Sequence, residues 1–303
     1  MFGSLIAKTL PLVPKAIVGR VARRYIAGEA LSDAVDTVRG LNARGFAATV
    51  DVLGEEVHDR EAAAAHTKDY CELIAALEAA RVHAGVSLKL TQFGLRIDPN
   101  LCLHNVGRIL DAAKQHSRFV RIDMEDSSLT TTTLDAYRRF RAERGGERLG
   151  VVIQAYLYRT ESDVESLLSE TDKPDIRICK GIYREPPEVA FTCRELITKN
   201  FIRLAKRLLE GGARLGIATH DREIIGALAP WTRAAGIPTS QYEFQALLGV
   251  PIEGILQGLV KDGHRVRIYV PYGSQWYAYS TRRLKENPEV ASHVFKAIFR
   301  RLD

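Results

Sequence analysis

The sequence predicts an α/β protein, a (β/α)8 barrel of the TIM type with extra N-terminal helices and a C-terminal helix over the barrel mouth. Two observations lead to this fold class. Short runs rich in β-branched and aromatic residues recur along the 303 residues, and helical patterns separate them. Gly or Pro marks many of the joints. Eight strands that alternate with helices are what a closed parallel barrel requires.

The predicted strands follow one another through the middle of the chain. They cover residues 46–52, 86–90, 119–124, 150–156, 176–180, 215–219, 242–248 and 266–270. Clear helical patterns between them span residues 62–80 and 189–209. A doubly wound sheet is the competing arrangement, but no G-x-G-x-x-G motif follows the first strand. We expect a single domain over residues 1–303, with an N-terminal helical segment at 1–44 and the barrel with its C-terminal helices at 45–303.

Composition narrows the classes of function. The chain is 46% hydrophobic, carries a net charge of +6 and has a pI near 9.1, which permits attraction to anionic ligands, membranes or nucleic acid. The basic residues are dispersed and accompany no nucleic-acid-binding motif, so we expect no nucleic-acid partner. The four cysteines have no C-x-x-C spacing, and no signal peptide is evident. This pattern predicts free thiols in the cytoplasm.

The N-terminal segment has a charge pattern of its own. It carries five basic residues and no acidic residue before Glu29, and an apolar helical face begins after Pro14. Such a helix can lie on an anionic membrane surface as a peripheral contact with the inner face of the membrane. Alternatively, it packs on the barrel. No stretch approaches the length of a membrane-spanning helix.

Polar residues recur at the ends of the predicted strands. They include Asp51, Lys89, Asp123, Gln154, Arg177, Lys180, Thr219, His220, Glu243, Gln245 and Tyr269. Chemistry in (β/α)8 barrels takes place at the carboxyl ends of the strands, which form the mouth. Polar groups inside strands are unfavourable unless they are paired or used. Because all eight strands carry them, we expect a functional mouth, with about half of these side chains reaching it.

Two adjacent arginines near the C-terminus form a second candidate feature. Arg282 and Arg283 lie on a predicted helix shortly after a tyrosine-rich turn, one helical turn before Glu286. Guanidinium groups suit a planar carboxylate because two parallel donors meet two oxygens. The pair alone would equally fit a solvated basic helix face.

Two common mechanisms find little support in the sequence. The eight histidines show no H-x-H or H-E-x-x-H spacing, and His220 is the one at a predicted strand end. No metal site is therefore expected. No G-x-S-x-G motif is present, and Cys179 has no histidine nearby in the sequence. The remaining Lys, Arg, Gln, Thr and Tyr residues are suited to an organic cofactor and an anionic substrate.

Seven motifs together resemble the proline dehydrogenase family. They are SLKLTQ at 87–92, VRIDME at 120–125, QAYL at 154–157, RICKGIY at 177–183, ATHD at 218–221, YEFQ at 242–245 and the run from Tyr269 to Glu286. Their order and spacing resemble the compact monofunctional bacterial enzymes over about residues 45 to 290. The resemblance implies a flavin-binding barrel that uses FAD to oxidise L-proline to Δ1-pyrroline-5-carboxylate. It also implies electron transfer to a quinone-type acceptor, usually in the membrane.

The resemblance also implies individual roles. Lys89, Arg282 and Arg283 match the groups that bind the substrate carboxylate. Asp123, Arg177 and Tyr269 match active-site positions, with Arg177 near flavin N5 and Tyr269 shaping the proline pocket. The FAD-contacting positions are matched by Met124, Gln154, Lys180, Gly181, Ile182, Thr219 and His220. Ile182, where the family usually has a smaller residue, and Cys179, where it usually has valine, depart from the pattern.

These matches imply a mechanism of positioning. The carboxylate clamp would direct C5 of proline toward flavin N5 for hydride transfer, the first step of proline catabolism to glutamate. A different flavin barrel, such as methylenetetrahydrofolate reductase, and a non-catalytic sensor barrel are the rival interpretations. The sequence leaves open the oligomeric state, the acceptor, the strength of membrane association and the acceptance of hydroxylated or N-alkyl prolines.

Overall fold

The computed structural model describes residues 23–54, 57–170, 172–277, 279 and 280. The N-terminal residues 1–22 lie outside this range, and so do Arg282, Arg283 and Glu286. The predicted N-terminal amphipathic helix and the arginine pair therefore remain sequence-based predictions.

The eight predicted strands form one closed parallel barrel. Their bounds are β1 Ala47–Val52, β2 Ala84–Leu88, β3 Val120–Ile122, β4 Leu149–Gln154, β5 Asp175–Cys179, β6 Arg214–Ala218, β7 Tyr242–Leu247 and β8 Val266–Tyr272. Each strand pairs with its sequence neighbours, and β8 pairs with β1 from Ala47↔Arg267 to Val52↔Tyr272. The prediction of a (β/α)8 barrel is confirmed. Every residue of β1 to β4 is buried, as expected for parallel strands that are covered on both faces.

Eight α-helices accompany these strands in the described part of the chain. They are α1 Leu31–Ala43, α2 Arg60–Ala79, α3 Pro99–Gln115, α4 Thr130–Arg144, α5 Thr160–Glu170, α6 Arg194–Glu210, α7 Arg222–Ala234 and α8 Glu253–Lys261. Helices α2 to α8 follow β1 to β7 in turn. The side chains of Asp59, Asp98 and Asp221 accept hydrogen bonds from backbone N–H groups in the first turns of α2, α3 and α7. These caps satisfy donors that the helices leave unpaired.

Helix α1 takes an outer position beside the closing strands. It packs against β8 and β1, where a helix after β8 would otherwise cover the barrel. After β8 the backbone becomes helical again at Trp276. There Trp276 and Tyr279 pack with Leu53, which follows β1. The predicted C-terminal helix thus begins at the mouth rather than on the outer wall.

One helix boundary was predicted wrongly. The helical pattern from residue 189 becomes a helix only at Arg194. The preceding residues are held in extended contacts with the chain after β4, because Tyr158 N–H donates to the Val189 carbonyl at 3.0 Å and Phe191 N–H to the Tyr156 carbonyl at 2.7 Å. Among the described residues, no helix combines the length and apolar composition needed to cross a bilayer.

Candidate active site

Asp123 lies at the centre of the mouth, directly after β3. Its Oδ1 accepts hydrogen bonds from Ser87 Oγ and Arg177 Nη2, and its Oδ2 accepts one from Tyr269 O–H at 3.0 Å. Lys89 Nζ lies 3.9 Å from Oδ2. The barrel thereby brings four predicted site residues, Lys89, Asp123, Arg177 and Tyr269, from four different strands to one point. Asp123, Ser87, Lys89, Arg177, Tyr269 and Asp51 are together called the mouth cluster below.

The charges of the mouth cluster stabilise one another. Burial would raise the pKa of Asp123, but Arg177 and Lys89 outweigh it, so that the pKa of this carboxyl falls below its ordinary value. Burial opposes the charge on Arg177 as well, and Asp123 outweighs it and raises the pKa of Arg177. The Arg177 guanidinium carbon also lies 5.4 Å from the centroid of the Tyr269 ring. Asp123 is therefore an ionised carboxylate that accepts hydrogen bonds from three donors and lies at ion-pair distance from Lys89.

Lys89 stands at the end of β2, as the residue before a short 3₁₀ turn at Leu90–Phe93. Its ammonium lies 3.3 Å from each carboxylate oxygen of Asp51. Burial would lower the pKa of Lys89, but Asp51 and Asp123 outweigh it and hold this pKa above its ordinary value. The Lys89 side chain retains 17% exposure, whereas that of Asp51 retains 1%. Lys89 is thus charged and reachable, and Asp51 lies behind it.

Glu125 fixes the turn that follows Lys89. Its carboxylate accepts hydrogen bonds from Thr91 N–H at 3.1 Å and from Thr91 Oγ1 at 2.5 Å. Burial nevertheless raises the pKa of Glu125 above its ordinary value. The amide of Gln154, at the end of β4, donates to the Glu125 carbonyl at 2.9 Å. These bonds tie the ends of β2, β3 and β4 together, which leaves little freedom to the Lys89 backbone.

The predicted cofactor residues at β5 and β6 have protein partners. Lys180 Nζ donates to Asp221 Oδ2 at 2.6 Å and to Thr198 Oγ1 at 3.0 Å. Burial opposes the charge on Asp221, but its bonds from Lys180 and from the backbone outweigh it and lower its pKa. Thr219 Oγ1 accepts from the Asp221 N–H at 3.0 Å. The Leu247 N–H donates to His220 Nε2 at 3.0 Å, so a neutral His220 ring carries its proton on Nδ1.

Gly181 and its neighbour form the outer edge of the same region. Gly181 has φ +111°, and a Cβ there would lie 2.3 Å from the Tyr156 ring. Glycine is therefore required by backbone conformation and by packing. Ile182 exposes 44% of its surface, whereas Met124 is buried. In the part of the chain that the structure describes, no three His, Cys, Asp or Glu side chains lie close enough to hold a metal ion.

Comparison with known proteins places this arrangement in a family. The family model described as proline dehydrogenase matches residues 34–296. The chain belongs to the proline dehydrogenase family. It is 39% identical to proline dehydrogenase 1 of Bacillus subtilis strain 168 over 295 residues, 97% of this chain and 96% of that protein. It is 36% identical to the proline dehydrogenase of Deinococcus radiodurans over 283 residues, 92% of this chain and 90% of that protein.

Solved structures show the same barrel inside larger proteins. The proline utilization A protein (PutA) of Bdellovibrio bacteriovorus, in a crystal structure described as inactivated by N-propargylglycine, superposes with a TM-score of 0.82 at 26% identity. The match covers 88% of this chain and 32% of that one, so the chain spans about a third of that protein's length. The predictions of the proline dehydrogenase family and of an enzyme are confirmed.

The structure places some polar strand residues away from this proline dehydrogenase mouth. About half of the polar strand residues were expected to reach the mouth, and Glu243 and Gln245 are among those that do not. Glu243 is the second residue of β7, and it accepts hydrogen bonds from Arg267 Nε at 2.5 Å and from Gln245 Nε2 at 2.7 Å. Both residues line a cavity of about 240 Å³ at the amino ends of the strands. Gln245 points there because Gly216 of β6, which is in register with Glu243, leaves room for the Gln245 amide.

Sequence reasoning missed two groups that shape the mouth. Asp51 was recognised as a strand-end residue but was given no role. Tyr70 was not recognised at all, because it lies on α2, where a tyrosine at helical spacing predicts only core packing. Its hydroxyl donates to the Ser87 carbonyl at 2.7 Å and lies 3.2 Å from Asp51 Oδ1. The apolar residues around Asp51 in β1 could have indicated that its carboxylate is buried. A buried carboxylate needs a partner, which would have suggested a role for it.

Proposed function

We propose that this chain catalyses the FAD-dependent oxidation of L-proline to Δ1-pyrroline-5-carboxylate, the first step of proline catabolism to glutamate. The observation that carries the proposal is the mouth cluster, in which Asp123 holds Lys89, Arg177 and Tyr269 at one point. Family membership supports the choice of substrate, since relatives aligned over nearly their whole length are named for proline. It also disfavours a methylenetetrahydrofolate reductase barrel.

The proposed role of the cations is to bind the carboxylate of proline. The Lys89 side chain is partly exposed and its ammonium is held by Asp51, and Arg282 and Arg283 would complete the clamp from the C-terminal segment. Charge-assisted bonds to a carboxylate are strong and directional. Tyr269, fixed by its bond to Asp123, would form one wall of the proline pocket. Positioning of this kind lowers the barrier by holding the reacting carbon in place.

The ends of β3 to β6 fit the proposed flavin. Met124, Gln154, Lys180, Gly181, Ile182, Thr219 and His220 would hold it. They lie on four adjacent strand ends of the mouth, with the exposed Ile182 side chain and the Lys180 cation available to cover a ring and meet a phosphate. FAD, when bound, would accept the hydride from proline C5 at its N5. Arg177 contributes a permanent positive charge that can stabilise negative charge developing nearby.

The state of Asp123 bears on the proton that leaves the proline nitrogen. Its lowered pKa and its three hydrogen-bond donors make it a poor proton acceptor. We therefore propose that Asp123 anchors Arg177 and Tyr269, and that proline loses its ammonium proton on binding. Cations beside the substrate favour this loss, because they disfavour a second positive charge in the pocket.

The proposed electron acceptor is a quinone. Residues 1–22 contain most of the predicted basic amphipathic segment, whose apolar face was expected from Pro14 to Tyr25, and a peripheral contact of this segment with an anionic membrane would bring the mouth close to a lipid-soluble acceptor. The barrel and the segments on either side of it are proposed to form one domain. Co-sedimentation of the full chain and of a variant lacking residues 1–22 with anionic and neutral vesicles tests the membrane contact.

The reaction itself is tested by product analysis. Purified protein, supplied with FAD and a soluble quinone analogue, should convert L-proline into one equivalent of Δ1-pyrroline-5-carboxylate per equivalent of reduced acceptor. D-proline serves as the control, because its carboxylate cannot meet the clamp while C5 keeps the same position. Flavin-loaded protein that forms no product from L-proline would contradict the proposal.

A further inference from the structure

Two carboxylates converge on the ammonium of Lys89 from different sides. Asp51 reaches it with both oxygens at 3.3 Å, and Asp123 Oδ2 lies 3.9 Å away. Asp123 is otherwise engaged by Ser87, Arg177 and Tyr269. Among the described residues, Lys89 is the one cation that lies within ion-pair distance of Asp51. The direction of the Lys89 side chain is therefore set mainly by Asp51.

Asp51 is itself built into the barrel wall. It lies on β1, where it pairs in register with Pro271 of β8, and it is 1% exposed. The Tyr70 hydroxyl lies 3.2 Å from its Oδ1 and is held by the Ser87 carbonyl at 2.7 Å and the Val52 N–H at 3.3 Å. A buried carboxylate of this kind is unfavourable on its own. Its position behind Lys89, the side chain of which is 17% exposed, points to a role at the mouth.

We propose that Asp51, held by Tyr70, is a positioning residue for substrate binding, which keeps the Lys89 ammonium directed at the mouth and prevents it from closing onto Asp123. This inference rests on the proposed function, in which Lys89 binds the carboxylate of proline. Without Asp51, the nearest remaining carboxylate is Asp123, and Lys89 would move toward it. Lys89 would then both leave the substrate and compete with Arg177 for Asp123.

The same geometry predicts a change in pH dependence. In the described part of the chain, the titratable and charged groups around Lys89 and Asp51 are Asp123, Glu125, Tyr183, Tyr70, Tyr269, Tyr272 and Arg177. The pKa of Lys89 is raised because Asp51 and Asp123 outweigh burial, so removal of Asp51 lowers it. A raised lysine pKa keeps the charge until the pH rises through that pKa. Loss of the Lys89 charge must therefore begin at lower pH in an Asp51 variant.

The test compares Asp51→Asn with Asp175→Asn in the FAD-loaded enzyme. Asp175 is also mostly buried and paired, with Arg121 at 2.6 Å, but it lies at the amino end of β5. We expect Asp51→Asn to raise KM for L-proline about tenfold, the equivalent of one charge-assisted contact of roughly 1.4 kcal/mol. Its kcat should change less than about threefold, and the alkaline limb of kcat/KM should move to lower pH. Asp175→Asn should change neither KM nor that limb.

Two further measurements separate positioning from general loosening. Inhibition by cyclopentanecarboxylate should weaken in Asp51→Asn, whereas inhibition by cyclopentanecarboxamide, which has no charge, should not. Tyr70→Phe should raise KM in the same direction by about threefold, a typical loss for one neutral hydrogen bond. This variant also serves if Asp51→Asn fails to fold.

The outcomes are distinguishable from failure of the proposed function. If wild-type protein does not oxidise L-proline, the proposed function fails before any variant is compared. If the wild type is active and Asp51→Asn keeps its KM and its pH profile, the positioning role is wrong. Equal weakening of the acid and the amide inhibitor would also overturn it, since that result indicates a distorted pocket. If only Tyr70→Phe can be purified, an unchanged KM for L-proline in that variant also shows that the positioning role is wrong.

Discussion

The two ends of the barrel both contain buried charges, yet they use them differently. At the amino ends of the strands, Arg121 binds the carboxylate of Asp175 and its carbonyl, and Arg267 binds Glu243 and the Ala48 carbonyl. At the mouth, Asp123 accepts hydrogen bonds from three donors on other strands, and the Lys89 side chain remains 17% exposed. Burial and ion pairing alone therefore do not identify a site. What distinguishes the mouth is convergence on one hub that leaves a reachable cation.

The arginines at the amino end also satisfy backbone carbonyls. Arg118 donates to the Leu77 carbonyl at 3.0 Å and to the Val82 carbonyl at 2.6 Å, beside the end of α2. Arg148 donates to the Ser117 carbonyl at 2.7 Å, shortly after α3. Since the last carbonyls of a helix lack partners within the helix, these contacts stabilise the fold. The arginines at the amino end are thus bound to groups of the protein itself, whereas the cations of the mouth are proposed to bind a ligand.

The largest difference between the two ends should appear when the charge of Asp123 is removed. Asp123→Asn should lower kcat/KM for L-proline by about a hundredfold or more, since it releases Arg177 and Tyr269 together. Steady-state kinetics on flavin-loaded protein measure this effect. Asp175→Asn is the matched control at the other end, and a similar loss there would remove the distinction between the ends.

A cation at the amino end should affect stability instead. Arg121→Met leaves Asp175 without its closest partner, and we expect the free energy of unfolding to fall by about 3 kcal/mol, as for other broken buried pairs. Urea denaturation checks this value, and KM for proline should remain within about twofold. A large KM change in a folded Arg121→Met protein would mean that the amino end participates in binding.

The arginine pair tests the part of the mouth that rests on sequence. Arg283→Met should raise KM for proline by about thirtyfold, roughly 2 kcal/mol for a lost charge-assisted contact. FAD content, read from the visible spectrum, should stay near that of the wild type. Protein purified without flavin would count against the assigned role, because it would place Arg283 with the cofactor.

A smaller effect should come from the start of the C-terminal helix. The Trp276 indole N–H donates to Glu29 Oε1 at 2.7 Å, next to the cluster of Ile26, Leu53 and Tyr279. Trp276→Phe keeps an aromatic ring but loses the indole N–H, and KM should rise about threefold, the low end of the range for a hydrogen bond because this one is exposed. Kinetics of Trp276→Phe and of Glu29→Gln should show the same direction. If neither changes KM, this contact does not position the segment that contains Arg282 and Arg283.

Much of the fold was predictable because its signals are local. The eight strands follow from period and composition, and the mouth residues Lys89, Asp123 and Arg177 follow from their places at strand ends. The start of α6 was missed because residues 189–191 pair with the chain after β4, a contact that helical periodicity does not reveal.

The roles of Glu243 and Asp51, which the sequence left open, depend on long-range geometry. Glu243 lies one residue after the start of β7. The sequence of a short strand does not reveal at which end of the barrel a given side chain lies. The role of Asp51 depends on Tyr70 and Lys89, which come from α2 and the end of β2. Such a cluster becomes visible only when the barrel closes.

The central claim is that the mouth forms a proline site beside a flavin. Anaerobic titration of the FAD-loaded protein with L-proline, followed by the visible spectrum, tests it most directly. The flavin absorbance should bleach with a saturable dependence on L-proline, and the midpoint should move to higher concentration in Asp51→Asn but not in Asp175→Asn. A flavin spectrum that L-proline leaves unchanged at saturating concentration would contradict the claim.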